Sequence, residues 1–420
     1  MTHPAKLLSI ISLVFAPFSA ILAQDEGFIY GTITTYDNEV YEGPIRWGKE
    51  EVYWIDVFNA SKEENPNLRY LSEDQKNDLQ HSSNPFVIYS SCGDKKTEWF
   101  GGKNRSFGFN SCTHQFSCRF GDIKKIRPKR GSDVEIEMQS GIKFDLSGSG
   151  YNDVNTKVSV IDKEIGQIDV NWDRIARVEF KKTPSKLANT FGQPVFVTVT
   201  TFDGSFTGSL QWDHEERLTT DKIDGDTDDG RVSIELGKIK SIERVQNRSK
   251  ITTESGRVLE LSGTNDVNSE NRGILITQAN GTMVDIPWRE FRKLTVEKGK
   301  SGILKEYDDF KNQKDIQAKV KSTKSKTTSG KTVIDLDEEY GFEMIQGRDG
   351  ELEYSIPVAS IKKMSPKGSS STEIELKSGE KLNLKDSQDL GKMNQGVLIF
   401  TSTDKPEYLP WNEVEEIEIN

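Results

Sequence analysis

The amino-acid sequence predicts an all-β protein built from six small five-stranded barrels in three tandem pairs. Two kinds of short unit alternate along the chain, and each contains alternating apolar residues around a tight turn, the pattern of β-hairpins. Composition agrees with this fold class: hydrophobic residues make up 34% and charged residues 29% of 420 residues. Such a chain favours several small cores over one large core.

A hydrophobic leader precedes the repeats. Residues 1–23 carry one charged side chain, Lys6, before the apolar run LLSIISLVFAPFSAILA, which is the pattern of a signal peptide. The sequence therefore predicts an exported protein, periplasmic or extracellular. After residue 23 no apolar run approaches the length of a membrane span. The net charge of −11 argues against nucleic acid as a partner, because phosphate backbones attract basic surfaces.

The first kind of unit, type A, is clearest at residues 31–60 and 198–225, and a weaker copy covers 322–347. A glycine stands four residues before a large apolar residue in each copy, and these pairs are Gly43 and Trp47, Gly208 and Trp212, and Gly330 and Ile334. Two adjacent acids follow in each copy, namely Glu50-Glu51, Glu215-Glu216 and Asp337-Glu338. One more acid comes five residues later, at Asp56, Asp221 and Glu343.

The second kind of unit, type B, follows each A unit and covers 134–180, 249–296 and 372–419. Each copy has a Ser-Gly turn and a tryptophan 31 or 32 residues after its glycine. The turns end at Gly141, Gly256 and Gly379, and the tryptophans are Trp172, Trp288 and Trp411. A polar loop also recurs, at Asn152-Asp153-Val154-Asn155, Asn265-Asp266-Val267-Asn268 and Gln388-Asp389-Leu390-Gly391. Side chains of Asn and Asp can close such a loop on the backbone, with Val or Leu filling the barrel.

All six units end in apolar residues spaced by three, as in Phe120-Ile123-Ile126 and Trp172-Ile175-Val178. This spacing predicts a single 3₁₀ turn before the last strand of each barrel. The pattern resembles the SH3-like and Sm-like small barrels, and the stretch GTITTYDNEVYEGPI is similar to the first Sm hairpin. It also resembles exported bacterial proteins of uncharacterised function. The resemblance implies a fold; the acidic charge argues against the RNA binding of many Sm-like barrels.

The repeats give the predicted domain boundaries. After the signal peptide of residues 1–23, the six barrels are A1 (24–130), B1 (131–183), A2 (194–247), B2 (248–298), A3 (316–367) and B3 (368–420). Barrel A1 carries a long insert at about 61–112, in which Ser72 is the expected N-cap of a short helix over EDQKNDL. A second short helix is expected through Leu304, Tyr307 and Phe310 in the last linker.

The insert and the residues beside it are the predicted binding surface. Loops that a repeat does not require often carry function, and two tryptophans here lack a repeat counterpart. The candidate contact residues are Tyr53, Trp54, Asp56, Trp99 and Phe100. The alternative is that these aromatic side chains pack the insert against its own barrel.

Two acidic patterns are candidate calcium sites. Asp224, Asp226, Asp228 and Glu235 occupy positions 1, 3, 5 and 12 of a calcium-loop pattern. The required glycine is replaced by Asp229, and the alternative is an ordinary hairpin turn. The paired acids of the A units could likewise hold calcium or perform acid–base chemistry, or form solvated turns.

Three cysteines remain after the leader. Phe116, Cys118 and Phe120 alternate on one strand face, so Cys118 is expected to point inward and stay free. This leaves Cys92 and Cys112 as the predicted disulfide of an exported protein.

The sequence favours a non-catalytic exported binding or scaffold protein that contacts an envelope protein or glycan through the insert of A1. It contains no GxSxG and no HExxH motif, and no cofactor other than calcium is indicated. Two alternatives remain open: a hydrolase with carboxylates at a junction between barrels, and a calcium-stabilised adhesin or wall protein. The oligomeric state is open as well.

Overall fold

The computed structural model describes residues 25–82, 114–298, 305–368, 370–385, 389–402 and 405–420. The predicted all-β fold class is confirmed. The described residues form antiparallel strands, short 3₁₀ helices and one α-helix, and the strands build small barrel-like units. The predicted signal peptide lies outside the described residues.

The first A and B units together contain ten strands, β1 to β10. They span Tyr30–Thr35, Val40–Trp47, Val57–Lys62, His114–Arg119, Ile123–Pro128, Asp133–Met138, Lys143–Ser147, Val158–Asp162, Gly166–Val170 and Ile175–Phe180. Alternation of apolar and polar residues explains the strands: in β6 every second side chain is buried.

The second and third pairs repeat this order. In the second pair, β11 to β20 span Phe196–Thr201, Ser205–Trp212, Lys222–Thr227, Gly230–Glu235, Ile239–Val245, Arg248–Thr253, Val258–Leu261, Ile274–Thr277, Met283–Ile286 and Phe291–Val296. In the third pair, β21 to β30 span Gln317–Ser322, Thr327–Ile334, Met344–Asp349, Leu352–Pro357, Ile361–Lys367, Ser371–Leu376, Lys381–Lys385, Val397–Phe400, Glu407–Leu409 and Val414–Ile419.

Within each pair of units, strands of the A unit form ladders with strands of the B unit. In the first pair, β1 pairs with β2 and β10, and β2 continues to β8 and β9. We call these five strands the outer set. The inner set comprises β3 to β7, where β3 pairs with β4 and, through Ser61 and Ser147, with β7. The inner set is therefore inserted between the second and third strands of the outer set.

The same arrangement occurs in the other two pairs, where β12 pairs with β18 and β22 with β28. Each five-strand set thus takes strands from both an A unit and a B unit, so a set does not coincide with a single repeat unit of the sequence. Within the described residues, no hydrogen-bond ladder closes on itself to make a complete barrel. The last two strands of a set are joined by a covalent turn instead, as at β9 and β10.

The turns before the last strands agree with the predicted spacing of three. Five of them are 3₁₀ helices, at Phe120–Asp122, Trp172–Arg174, Leu236–Lys238, Val358–Ser360 and Trp411–Glu413. The sixth, at Trp288, is a hydrogen-bonded turn in which the Phe291 N–H donates to the Trp288 carbonyl oxygen over 3.2 Å. The apolar residue that starts each turn is buried because it packs into the barrel-like core.

The insert joins β3 to β4. Its described part contains a 3₁₀ helix, Pro66–Tyr70, and the helix α1, Glu73–Ser82. Ser72 caps α1 as predicted, because its hydroxyl oxygen accepts the Gln75 N–H at 3.2 Å and its own N–H donates to the Gln75 side chain at 2.8 Å. Leu71 is buried against the third pair, in a small core with Val333, Leu336 and Leu398.

Contacts join the three pairs. Strand β19 of the second pair forms an antiparallel ladder with β24 of the third, with Val284 opposite Tyr354. One core spans these two pairs, and a second core fills the first pair. The last linker contributes to the second core through its 3₁₀ helix Tyr307–Phe310, which lies where the sequence predicted a short helix.

Candidate functional site

Tyr53 and Trp54, two of the predicted contact residues, are buried. Both side chains are 0% exposed, so the expectation that they present an aromatic surface is wrong. The Trp54 indole N–H donates to the Thr183 hydroxyl at 3.0 Å, and its ring lies 4.5 Å from that of Tyr307. Trp54 therefore holds the last linker, through Tyr307, against the first pair. The other predicted aromatic residues, Trp99 and Phe100, lie outside the described residues.

Asp56, the predicted acidic contact residue, is also buried, at 3% exposure. Its carboxylate accepts the N–H groups of Val52 and Tyr53, each at 2.7 Å. It also pairs with Arg217 of the second pair at 2.8 Å. Asp56 therefore closes a turn and joins two pairs.

The same turn recurs at the two matching acids. Asp221 accepts two backbone N–H groups and pairs with Arg46 at 2.7 Å. Glu343 likewise accepts two backbone N–H groups and pairs with Lys62. In each case the cation comes from a different pair, so this recurring acid holds the pairs together.

The predicted calcium loop is a β-hairpin. Asp224 and Asp226 lie on β13, opposite Ser233 and Arg231 of β14, and Glu235 lies opposite Lys222 at the far end. A calcium loop wraps its ligands around the ion, whereas these side chains, together with the exposed Asp228, are spread along a straight two-stranded ribbon. The metal prediction at Asp224, Asp226, Asp228 and Glu235 does not agree with this geometry.

Cys118 is buried and free, as predicted. Burial raises the pKa of its thiol well above the usual value, which disfavours the reactive thiolate. The predicted disulfide partners Cys92 and Cys112 lie outside the described residues.

The recurring polar loop of the B units has a structural role, because it bonds to strands of both sets. Trp47 donates its indole N–H to the Asp153 carbonyl oxygen at 2.7 Å, and Trp212 donates likewise to Asp266 at 2.9 Å. The apolar residue of each loop is buried, namely Val154, Val267 and Leu390. The side chains of the loop aspartates accept a backbone N–H from the inner set, from Asn59, Asp224 and Gln346. The loop therefore ties the inner and outer sets together.

This loop also brings an aspartate of the B unit next to two acids of the A unit. Carboxylate oxygens of Glu50, Glu51 and Asp153 lie within 4.8 Å of one another, and those of Asp213, Glu216 and Asp266 do the same. One alternative expected these acids to lie in solvated turns. Instead, Glu51 is 7% exposed and Asp153 is 1% exposed. The sequence contained all these acids, but nothing local indicates that a B-unit aspartate meets an A-unit glutamate.

Burial dominates the electrostatics of these clusters. It raises the pKa of Glu51 well above the usual range, and repulsion by Asp153 raises it further. The pKa of Asp153 is raised to about 7 and that of Glu216 to about 9, in both cases mainly by burial. In the third pair, burial and then Asp389 raise the pKa of Glu338. These carboxyl groups bind protons readily unless a cation neutralises them.

A surface cleft of about 310 Å³ lies elsewhere, on the second pair. It is lined by Thr200, Phe202, Glu243, Arg244, Arg292 and Lys293. The exposed Phe202 ring lies 5.5 Å from the Arg244 guanidinium and 5.2 Å from that of Arg292. The cleft is thus basic and aromatic, with a single carboxylate in its wall.

No helix among the described residues is long and apolar enough to cross a membrane. Comparisons with models of protein families, with curated proteins and with solved structures give no match.

Proposed function

We propose that this chain is an exported, non-catalytic binding or scaffold protein whose three pairs form a firm base for the insert of the first A unit. The partner would be a protein or a glycan of the envelope. The observation that supports this proposal is the anchoring of the insert at its base by buried polar contacts to the third pair.

Lys62, the last residue of β3, forms the first of these contacts. Its ammonium group lies 2.9 Å from Asp337 and also bonds to Glu343, with 13% of the Lys62 side chain exposed. Asn67 continues the anchor, since its amide donates to the Leu336 carbonyl oxygen and to Glu339, each at 3.0 Å. Because these contacts fix the start of the insert, the chain loses less conformational entropy when the insert binds a partner.

The composition of the rest of the insert fits a contact role. Residues 83–112 contain the aromatic residues Phe86, Tyr89, Trp99, Phe100, Phe107 and Phe109. Aromatic side chains dominate the energetics of many protein interfaces and also stack on sugars.

The test is to replace residues 83–112 by a short Gly-Ser linker, which leaves α1 and β4 in place. Binding to an envelope extract and to a panel of envelope glycans should be lost, while the melting temperature stays close to that of the full chain. The matched control is Tyr36→Ser, because Tyr36 is an aromatic residue 60% exposed outside the insert. Equal binding by the full chain and the insert-deleted chain would reject the proposal.

A hydrolase, the first alternative, has one observation in its favour: Glu51 and Asp153 come from different units and lie together. Their burial argues against it, because a substrate has no access to side chains that are 7% and 1% exposed.

A further inference from the structure

Three carboxylates, those of Glu50, Glu51 and Asp153, lie together in the first pair. Among the described residues, no Lys or Arg forms an ion pair with Glu50, Glu51 or Asp153. Glu50 accepts a hydrogen bond from the Asn152 amide, and Asp153 accepts the Asn59 N–H at 2.6 Å. Glu51 is 7% exposed, and within the described part of the chain its carboxylate has neither a hydrogen-bond donor nor an ion-pair partner. A buried acid without a partner points to a missing ligand.

The second pair has a built-in positive charge beside the same cluster, although the carboxylate of Glu216, which matches Glu51, is itself buried with one oxygen unpartnered. There Asp213 takes the place of Glu50, because it accepts the amide hydrogen bond of Asn265 as Glu50 accepts that of Asn152. Arg272 supplies the positive charge, with its guanidinium 3.1 Å from Asp213 and 2.9 Å from Glu215.

The residue of the first pair that matches Arg272 carries no charge. Arg272 stands two residues before Ile274, which is opposite Trp212, and Thr156 stands two residues before Val158, which is opposite Trp47. The next residue, Lys157, is turned to Asp169 at 3.6 Å. The first pair therefore has the acidic site without its built-in cation.

The two neighbouring arginines, Arg217 and Arg272, already form ion pairs with other carboxylates. Arg217 bonds to the backbone oxygen of Glu50 at 3.3 Å, but its charge is paired with Asp56 at 2.8 Å. Arg272 is committed to Asp213 and Glu215. Both act on the first-pair cluster from a distance, but neither forms an ion pair with its carboxylates.

We propose that Glu50, Glu51 and Asp153 bind a calcium ion in the first pair. The ligand atoms lie within 4.8 Å of one another, which is the separation of two oxygens on opposite sides of an ion with bonds of about 2.4 Å. Carboxylate oxygens suit a hard cation, and the absence of His and Cys from this trio disfavours zinc. The partly exposed Glu50 leaves a path for the ion and for water ligands.

The position of Trp47 provides a direct readout. Its indole N–H donates to the Asp153 carbonyl oxygen at 2.7 Å, so a terbium ion replacing calcium would lie close enough to be sensitised by this indole. The purified full chain, freed of metal with EDTA, is titrated with calcium, magnesium and terbium. We expect one calcium per chain, a melting temperature several degrees higher at about 10 mM calcium, and terbium luminescence that calcium removes.

Three variants locate the ion. Glu51→Gln should weaken calcium binding about tenfold or more without lowering the melting temperature in EDTA, because it removes a buried charge. Thr156→Arg copies Arg272 and should abolish calcium binding while raising the melting temperature in EDTA. Glu216→Gln is the matched control in the second pair and should leave calcium binding unchanged.

The proposal is overturned by a full chain that neither melts higher in calcium nor sensitises terbium. It is equally overturned if Glu216→Gln removes the ion while Glu51→Gln keeps it. Because Thr156→Arg adds a charge rather than removing a ligand, it decides the matter even if Glu51→Gln fails to fold.

Discussion

Arg217 of the second pair and Asp56 of the first form a buried ion pair, with 2.8 Å between Nη2 and Oδ1 and with side chains 3% and 2% exposed. Removing the cation leaves a buried carboxylate without its partner. We therefore expect Arg217→Met to lower the free energy of unfolding by about 3–5 kcal/mol, as measured by urea denaturation.

The control for Arg217→Met is Arg46→Met, which breaks the matching pair with Asp221. That pair is more exposed, at 16% and 12%, so the loss should be smaller. The double variant Arg217→Met with Asp56→Asn should recover part of the lost stability. Equal losses for the two single arginine variants would contradict the role given to burial.

Lys62 anchors the insert to the third pair through two carboxylates. Burial by itself lowers the pKa of the Lys62 ammonium, but Asp337 and Glu343 together outweigh burial and raise the pKa above its usual value. Lys62→Met should cost about 3–5 kcal/mol and increase hydrogen exchange in residues 63–82. Lys181→Met, which breaks an exposed pair with Glu42, should cost under about 1 kcal/mol. Unchanged exchange in Lys62→Met would show that the anchor lies elsewhere.

The recurring glycine of the A units is required by close strand packing. A Cβ on Gly208 would overlap the Thr277 carbonyl oxygen of the paired strand β18. Gly208→Ala should therefore lower the free energy of unfolding by about 1–3 kcal/mol, measured by thermal and urea denaturation. Gly204→Ala is the control, because a Cβ there meets nothing within 4 Å. Comparable losses for the two variants would contradict this explanation.

Asp389 in the third pair should make stability depend on pH. Burial raises its pKa in the folded protein to about 7, whereas an unfolded Asp titrates at about 3.9. The favourable contribution of the neutral carboxyl is thus complete below about pH 4 and is lost as pH rises through about 7. Its size is on the order of 4 kcal/mol.

Asp389→Asn should make the melting temperature fall less steeply between about pH 4 and pH 7, because an amide does not titrate and its oxygen can still accept the Gln346 N–H. The exposed Asp228→Asn is the control and should follow the unsubstituted chain. A melting temperature of Asp389→Asn that falls with pH as steeply as that of the unsubstituted chain would show that other groups cause the dependence.

Features encoded by neighbouring residues were predictable. The spacing of three placed the turns at Phe120 and Trp172, and Ser72 was recognised as the cap of α1. Each of these depends on contacts within a few residues, so the local pattern is enough to identify it.

Features that depend on distant residues were not predictable. Trp54 was expected on a surface because no repeat copy matches it, yet Thr183 and Tyr307 bury it. The meeting of Glu51 with Asp153 likewise depends on β2 pairing with β8 of the next unit.

By itself, the sequence determined that this is a repeated all-β chain, where the turns before the last strands fall, and which apolar residues start those turns. These follow from local periodicity, because strand alternation and turn chemistry act over a few residues. Only the tertiary structure decided which strands share a set, which acids meet, and how the pairs are joined. A strand pattern specifies one buried face but not the partner at its edge, and that choice depends on packing between residues far apart in the chain.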